Sequence, residues 1–265
     1  MSPQTQEKPK QQPRRTLALM QKETVDVVAE RVRSYQEKKQ LFLPPDYSPE
    51  NAIKSAWLIL QETKDKTGRP VLGSCTKISI TNALLDMVVQ GLNPGKNQCY
   101  FIAYGQTLTC IRSYFGSMAI VKNLCGARDV YGEVIYEGDE FVYDIQAGNK
   151  AIVKHVQKFE NIGGDITGAY CTIVFADGRQ FTEVMTMAQI EKAWSKSKTR
   201  GQASSPHKEF PEEMCKRTVI NRACKRYINS SSDNAVLQDA MERADEIATD
   251  EEVAEEIEES ANREM

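Results

Sequence analysis

The chain has 265 residues, 40% of them apolar and 27% charged, with 34 Lys and Arg against 37 Asp and Glu for a net charge of −3. That length allows one large domain or two small ones, and that composition is typical of a soluble globular protein with a sizeable core. It excludes a helical membrane protein, since no apolar run approaches the roughly 20 residues that span a bilayer.

Residues 1–15 are rich in Gln, Pro and Lys, lack an apolar signal core and are expected to be disordered. Helical periodicity begins at Thr16, a candidate N-cap, with Leu17, Met20, Val25, Val28 and Val32 recurring on one face. Phe42-Leu43-Pro44-Pro45 breaks it. Ser48-Pro49-Glu50 then starts a helix that places Ile53, Ala56, Trp57 and Leu60 together. A third helix runs from about Ser79 to Gly91, with Pro94 beyond it. Residues 98–103 and 106–111 form a hairpin candidate around Tyr104-Gly105, and Tyr114 to Leu124 returns to helical spacing.

Strand signals follow at about 128–136, 140–145, 151–157, 169–175 and 180–185. Turns at Gly138-Asp139, Gly148-Asn149, Gly163-Gly164 and Asp177-Gly178 separate them, which predicts an antiparallel meander. Thr186 caps a helix through Trp194, a loop runs from Ser195 to Lys208, and a last helix covers about Glu209 to Ile228. The expected fold class is α+β. N-terminal helices, a β-hairpin, a small antiparallel sheet and C-terminal helices surround one core over 16–230, and 231–265 forms an acidic tail, flexible or partner-binding.

Chemistry of the catalytic kind is sparse. Seven cysteines without a Cys-x-x-Cys pair read as reduced core thiols of a cytoplasmic protein, and two histidines, expected on the surface or in loops, offer no zinc site or nucleophilic triad. Gly91 to Asn97 has three residues between its glycines and Asn97 after Lys96, so it departs from a phosphate loop and reads as a helix stop. Asp46 and Glu62-Thr63-Lys64 mimic a metal-nuclease signature, but a Pro-bounded loop and a late helical turn do not aim both acids at one cation. No cofactor, metal or catalytic residue is therefore expected.

Charge patterning is the stronger signal. Between Lys192 and Arg226 ten basic residues, Lys192, Lys196, Lys198, Arg200, Lys208, Lys216, Arg217, Arg222, Lys225 and Arg226, face three acids. From Asp233 to Met265 thirteen acids face two arginines. A basic loop beside a basic helix forms one body of positive potential, suited to a polyanion. On that helix Cys215, Val219, Ala223 and Tyr227 stripe the core side, leaving Arg222, Lys225 and Arg226 clustered, with Lys216 and Arg217 flanking. Trp194 is either a stacking face for a base or a core residue beside Ile190. Arg112, in Arg112-Ser113-Tyr114, meets a phosphate or merely precedes a helix cap, and Tyr104 and Gln106 form a turn or a nucleic-acid contact, with Tyr114 a further aromatic candidate.

Several segments taken together resemble the RecT/Red-beta class of phage single-strand annealing proteins, on the RecT side. They are Gly91-Leu92-Asn93-Pro94-Gly95, Ile111 to Gly116, Glu137-Gly138-Asp139-Glu140-Phe141, Glu183-Val184-Met185-Thr186 with Gln189-Ile190-Glu191, and Glu212 to Ile220 leading to Lys225 and Tyr227. The family pattern commonly has basic residues where this chain has Phe115 and Asn221. The resemblance implies ATP-independent binding and annealing of DNA single strands in homologous recombination. It also implies rings or helical filaments of the chain on single-stranded and annealed duplex DNA, and a companion exonuclease, in a bacterial host cytoplasm. The acidic tail is then a candidate docking segment for that exonuclease or the host's single-strand-binding protein, or a shield for the basic surface. The competing classes are a metal-dependent DNA nuclease and a scaffold that coats single strands without annealing them.

Overall fold

Met20, Val28 and Val32 of the first helix are buried in the same core as Val219 and Ile228 near the far end of the described chain. A computed structural model describes residues 14–195, 206–229 and 240. Helix α1 covers Arg14–Glu37, so Thr16 lies within it rather than capping it; Arg14 and Arg15 are good helix formers and extend the first turn. Helix α2 (Pro49–Glu62) starts as its sequence dictates, with the Ser48 hydroxyl accepting from the Asn51 amide and Pro49 in the first turn. A short turn of helix, α3 (Val71–Ser74), was not legible in the sequence. Helix α4 (Lys77–Val89) begins two residues before Ser79, because Thr76 is its cap and accepts from the Ser79 amide.

The Gly91–Asn97 segment is a helix stop. Gly91 has φ +67° and Asn93 accepts from the Gly95 amide, folding Pro94–Lys96 into a 3-10 turn. Strands β1 (Cys99–Tyr104) and β2 (Thr107–Arg112) form the expected hairpin, turning at Gly105 with φ +64°. Helix α5 (Tyr114–Leu124) follows at once, capped by Ser113.

The second sheet contains β3 (Ala127–Tyr136), β4 (Glu140–Gln146), β5 (Asn149–Val156), β6 (Ile166–Phe175) and β7 (Gln180–Thr186). Its order is β3-β6-β7-β5-β4, all antiparallel, which corrects the meander expected from the turns. Burial explains the difference. Strand β3 buries Val130 and Val134, and β6 buries Ala169, Cys171 and Ile173, so these two pair beneath a helix. Every residue of β4 except Phe141 is exposed, and the β4–β5 hairpin is consequently relegated to the sheet edge, joined at the Lys150–Thr182 pairing.

Helix α6 (Met187–Trp194) carries a capping box in which Thr186 and Gln189 exchange side-chain and backbone hydrogen bonds. The expected last helix is α8 (Pro211–Ile228), starting two residues later than expected because Pro211 belongs in a first turn, and a short turn of helix, α7 (Pro206–Glu209), stands at the end of the segment expected to be loop. Helix α8 packs on β6, β3 and β7 and on α5, tying the sheet to the hairpin. Gly132 permits the approach: a Cβ there would lie 2.7 Å from Ile220 Cδ1. Of the segment beyond 230 only Ala240 is described, and it is buried in the same core. Residues 1–13 and the rest of 230–265 lie outside the described residues.

Asp139 shows what one of the family-like segments does. Its carboxylate is fully buried and accepts from the Tyr136 amide (2.9 Å), Asn161 Nδ2 (2.8 Å) and Gln157 Nε2 (3.3 Å), with His155 Nε2 at 3.3 Å. Burial alone would raise its pKa; the hydrogen bonds from Asn161, Tyr136, His155 and Gln157 outweigh that and lower it to about 2. His155 also meets Tyr170 and stands edge-on to Phe141, and His207 is buried against Trp194, so neither histidine is the surface or loop residue expected. Asp139→Ala should cost about 3 kcal/mol by stranding these donors. The carboxylate's stabilisation is fully present above its ordinary pKa of 3.8 and is lost as pH falls toward 2. Urea unfolding at pH 7 and at pH 3 measures both, and the gap between wild type and variant should narrow at the lower pH.

Candidate nucleic-acid interface

The exposed face of α8 carries Arg222, Lys225 and Arg226 within one helical turn. The opposite face, with Cys215, Val219, Ala223 and Cys224, is fully buried. Two of the cations are held by the sheet beneath. Arg222 Nε lies 3.4 Å from Glu183 Oε1, and the Arg226 guanidinium sits 4.7 Å from the centre of the Phe181 ring. Tyr227 lies between Phe181 (5.3 Å) and Phe175 (5.0 Å), and the Arg179 guanidinium stands 5.3 Å over Phe175. A row of aromatic rings thus ends in an arginine at each side. Lys150 reaches the same Glu183 carboxylate at 3.5 Å and donates to the Val184 carbonyl at 3.1 Å.

Sequence reasoning missed Arg179 and Lys150. Arg179 directly follows the Asp177-Gly178 turn and was a readable candidate; it pairs with Asp177 at 2.6 Å. Lys150 had no such signal, because only the β5–β7 pairing carries it to Glu183.

The other candidates divide by burial. Lys192 is exposed in the last turn of α6 and Lys208 on α7. Lys196, Lys198 and Arg200 lie outside the described residues. Lys216 is half-buried and pairs with Glu213 at 3.4 Å. Arg217 is buried at 8% exposure, which takes it off the solvent face of α8. Trp194 is buried too, its indole N–H donating to Thr218 Oγ1 at 2.8 Å, so its core alternative holds and it offers no platform to a base. Tyr114 is likewise buried, its ring 4.1 Å from Phe115. In both cases an aromatic ring at helical spacing satisfies the core first.

Arg112 is half-buried at the base of the hairpin. Its Nη1 donates to Gln90 Oε1 at 3.1 Å and its Nε to Ser117 Oγ at 3.3 Å, while Ser117 donates to Asn221 Oδ1 at 2.9 Å. This chain of polar contacts links the hairpin to α8 through Asn221, one of the two positions where the family pattern is commonly basic. Tyr104 is half-buried and Gln106 exposed at the hairpin tip, where the Gln106 carbonyl accepts from the Thr76 amide at 2.9 Å.

The arrangement suits anion binding rather than covalent chemistry. Burial pushes the Cys215 and Cys224 thiols up to about 12, so neither is a ready nucleophile. Among the described residues no three His, Cys, Asp or Glu side chains gather into a metal cluster, and no helix is long and apolar enough to cross a membrane. Asp46 sits in a turn before α2 and Glu62 in its last turn.

The sequence model of the RecT family matches residues 50–255. The chain belongs to the RecT family. Protein RecT of Escherichia coli strain K12 is 27% identical over 202 residues, covering 72% of this chain and 71% of that protein. The family match reaches past both ends of the segments that carried the resemblance, into the N-terminal helices and the acidic segment. RecT-family membership supports a single-strand annealing protein of DNA recombination, and it implies single-strand binding and oligomerisation.

Proposed function

We propose that this RecT-family chain anneals complementary DNA strands without ATP, assembled as a ring or helical filament, and that α8 supplies its principal phosphate contacts. The observation that carries this is the exposed Arg222, Lys225 and Arg226 turn, braced from below by Glu183 and the Phe181 ring. Two strands repel through their phosphates, and a cationic surface that neutralises both lowers the barrier to their meeting. Once matched, base pairs contribute about 1.4 kcal/mol of stacking per step, which drives pairing without a catalytic group. Contacts to backbone rather than base edges leave the binding sequence-tolerant. Repetition of weak contacts along an assembly makes them act together. Lys192, Lys208 and Arg112 are further proposed phosphate contacts, and Lys196, Lys198 and Arg200, outside the described residues, are proposed as well from the sequence. The acidic segment, which would repel DNA, is suited to a protein partner such as a companion exonuclease or the host's single-strand-binding protein.

The test mixes complementary labelled oligonucleotides with the full chain, without nucleotide triphosphates and with Mg²⁺ or Mn²⁺ present. Pairing faster than the spontaneous rate, with both strands intact, is expected. Shortened strands would instead indicate a nuclease, and binding without acceleration a coating scaffold.

A further inference from the structure

Among the described residues, every exposed large apolar side chain except Tyr131 lies in one of two regions. One is the N-terminal helices with the segment joining α1 to α2; the other is the β4–β5 hairpin with the loop after it. Apolar side chains scattered singly need no explanation, but grouped ones mark a surface that another molecule covers. Strand β4 is the free edge of the five-stranded sheet, attached through β5 at the Lys150–Thr182 pairing. Among the described residues its outer backbone groups face no strand, which makes it a template for another chain. In Phe141-Val142-Tyr143-Asp144-Ile145, Tyr143 and Ile145 project to one face and Val142 to the other, and all three are exposed. A strand solvated on one face alternates polar and apolar residues; one apolar on both faces is suited to cover on both.

The N-terminal region offers a groove for such a strand. Between α1, α4 and β2 lies a cavity of about 630 Å³. Tyr35, Leu85, Val89 and Leu108 give it apolar walls, and the exposed Arg31 and Ile78 stand at its rim. The groove is preformed, because Glu23 pairs with Lys77 at 3.5 Å and Arg31 Nη1 donates to Asn82 Oδ1 at 3.1 Å, pinning α1 to α4. Charge agrees with shape. Glu140 of β4 is paired with Lys154 at 2.7 Å, whereas Asp144 accepts from the Ile145 amide at 2.7 Å and, among the described residues, meets no cation. Arg31 likewise meets an amide oxygen rather than a carboxylate. The acid inside the groove, Asp86, is buried and already engaged.

We infer that β4 of one copy seats in the α1–α4–β2 groove of the next, with Ile145 packing on Ile78 and Asp144 pairing with Arg31. The two surfaces lie on different elements, so each contact leaves an open groove at one end and an open strand edge at the other. Such head-to-tail contacts continue until a ring closes or a filament grows. A different protein would need one of these surfaces; a chain that assembles on itself needs two unlike ones that complement each other. The inference rests on the assembly proposed above and assigns the surfaces that make it, independently of the cations on α8.

The test compares Ile145→Asp, Ile78→Asp and the wild-type full chain by sedimentation velocity without DNA and by cross-linking on an oligothymidylate. Ile145 is 65% and Ile78 72% exposed, so melting temperatures should stay near that of wild type. Each variant alone should associate about tenfold or more weakly than wild type, because a carboxylate replaces an apolar contact inside the interface. Mixed in equal amounts they should form a dimer and nothing larger, since the mixture holds one intact edge and one intact groove. Arg31→Glu and Asp144→Arg should each weaken assembly, and the two changes in one chain should restore it. Wild-type assembly by either Asp variant, dimers formed by one of them alone, a mixture that stays monomeric, or a charge swap that restores nothing would overturn the inference. Accelerated strand pairing by the same wild-type sample would leave the annealing reading standing. A wild-type chain that stays monomeric with and without DNA would overturn the inference and the ring or filament together.

Discussion

Replacing Arg222, Lys225 and Arg226 together by Ala should lower affinity for single-stranded DNA roughly a hundredfold at low salt while leaving the melting temperature nearly unchanged. Three phosphate contacts at about 1 kcal/mol each give that magnitude. Their removal should also flatten the dependence of binding on salt, by about 0.7 per contact on a single strand. Stability is spared because all three side chains are exposed and the buried face of α8 is untouched. The single variants should rank. Arg226→Ala should lose more than Arg222→Ala, since Arg222 is already paired with Glu183, and Lys216→Ala should lose least, its ammonium being half-buried beside Glu213. Anisotropy titrations at three or more salt concentrations measure affinity and slope together. Equal binding by the triple variant and wild type would remove α8 from the interface.

Gly116→Ala is expected to destabilise the chain by about 3 kcal/mol, at the top of the range for inserting one methyl into a packed site. A Cβ at Gly116 would stand 2.2 Å from the Gln98 carbonyl oxygen and 2.8 Å from Arg112 Cγ. The Gln98 carbonyl cannot move freely, because it accepts from the Ser113 amide at 3.1 Å and anchors the start of α5 to β1. Relief would require opening that joint, which displaces Arg112 from Gln90 and Ser117. For a chain of this size the fall in melting temperature should be roughly 6–12 °C, read by circular dichroism, and DNA affinity should fall with it. Gly132→Ala provides the contrast. Its closest neighbour is the flexible end of Ile220, which can rotate away, so the cost should be about 1 kcal/mol. Equal melting temperatures for both variants would show that the Gln98–Ser113 joint is not rigid.

The family-like segments have a common physical character. Asn93 folds the turn after α4, Ser113 caps α5, Asp139 gathers four donors, and Thr186 with Gln189 boxes the start of α6. The turn and the helix caps have partners within three residues, which is why they can be read from a single chain, whereas Asp139 draws Asn161, Gln157 and His155 from 16 to 22 residues away. They hold the scaffold on which the cations sit. The cations themselves are a surface property, and their identity was legible as a cluster while their individual surroundings were not. Arg217 illustrates the limit: it flanks the basic group in sequence, yet helical rotation carries it to the buried side.

The caps of α2, α5 and α6, the hairpin, the strand segments and the basic last helix followed from the sequence by itself, because caps, prolines, turn glycines and 3.6- or 2-residue periodicity act within a few residues. The order of the five strands, the burial of Trp194, Tyr114 and His207, the packing of His155 against Asp139 and Tyr170, and the meeting of Lys150 and Arg222 at Glu183 were decided only by tertiary structure. Each of those depends on which apolar surface a segment finds elsewhere in the chain. Pairing β3 with β6 under α8 puts Val130, Val134, Ala169, Cys171 and Ile173 into the core, and that pairing has no local signature. Short-range rules therefore wrote the elements and the charge, and long-range burial chose which charges and rings share a surface.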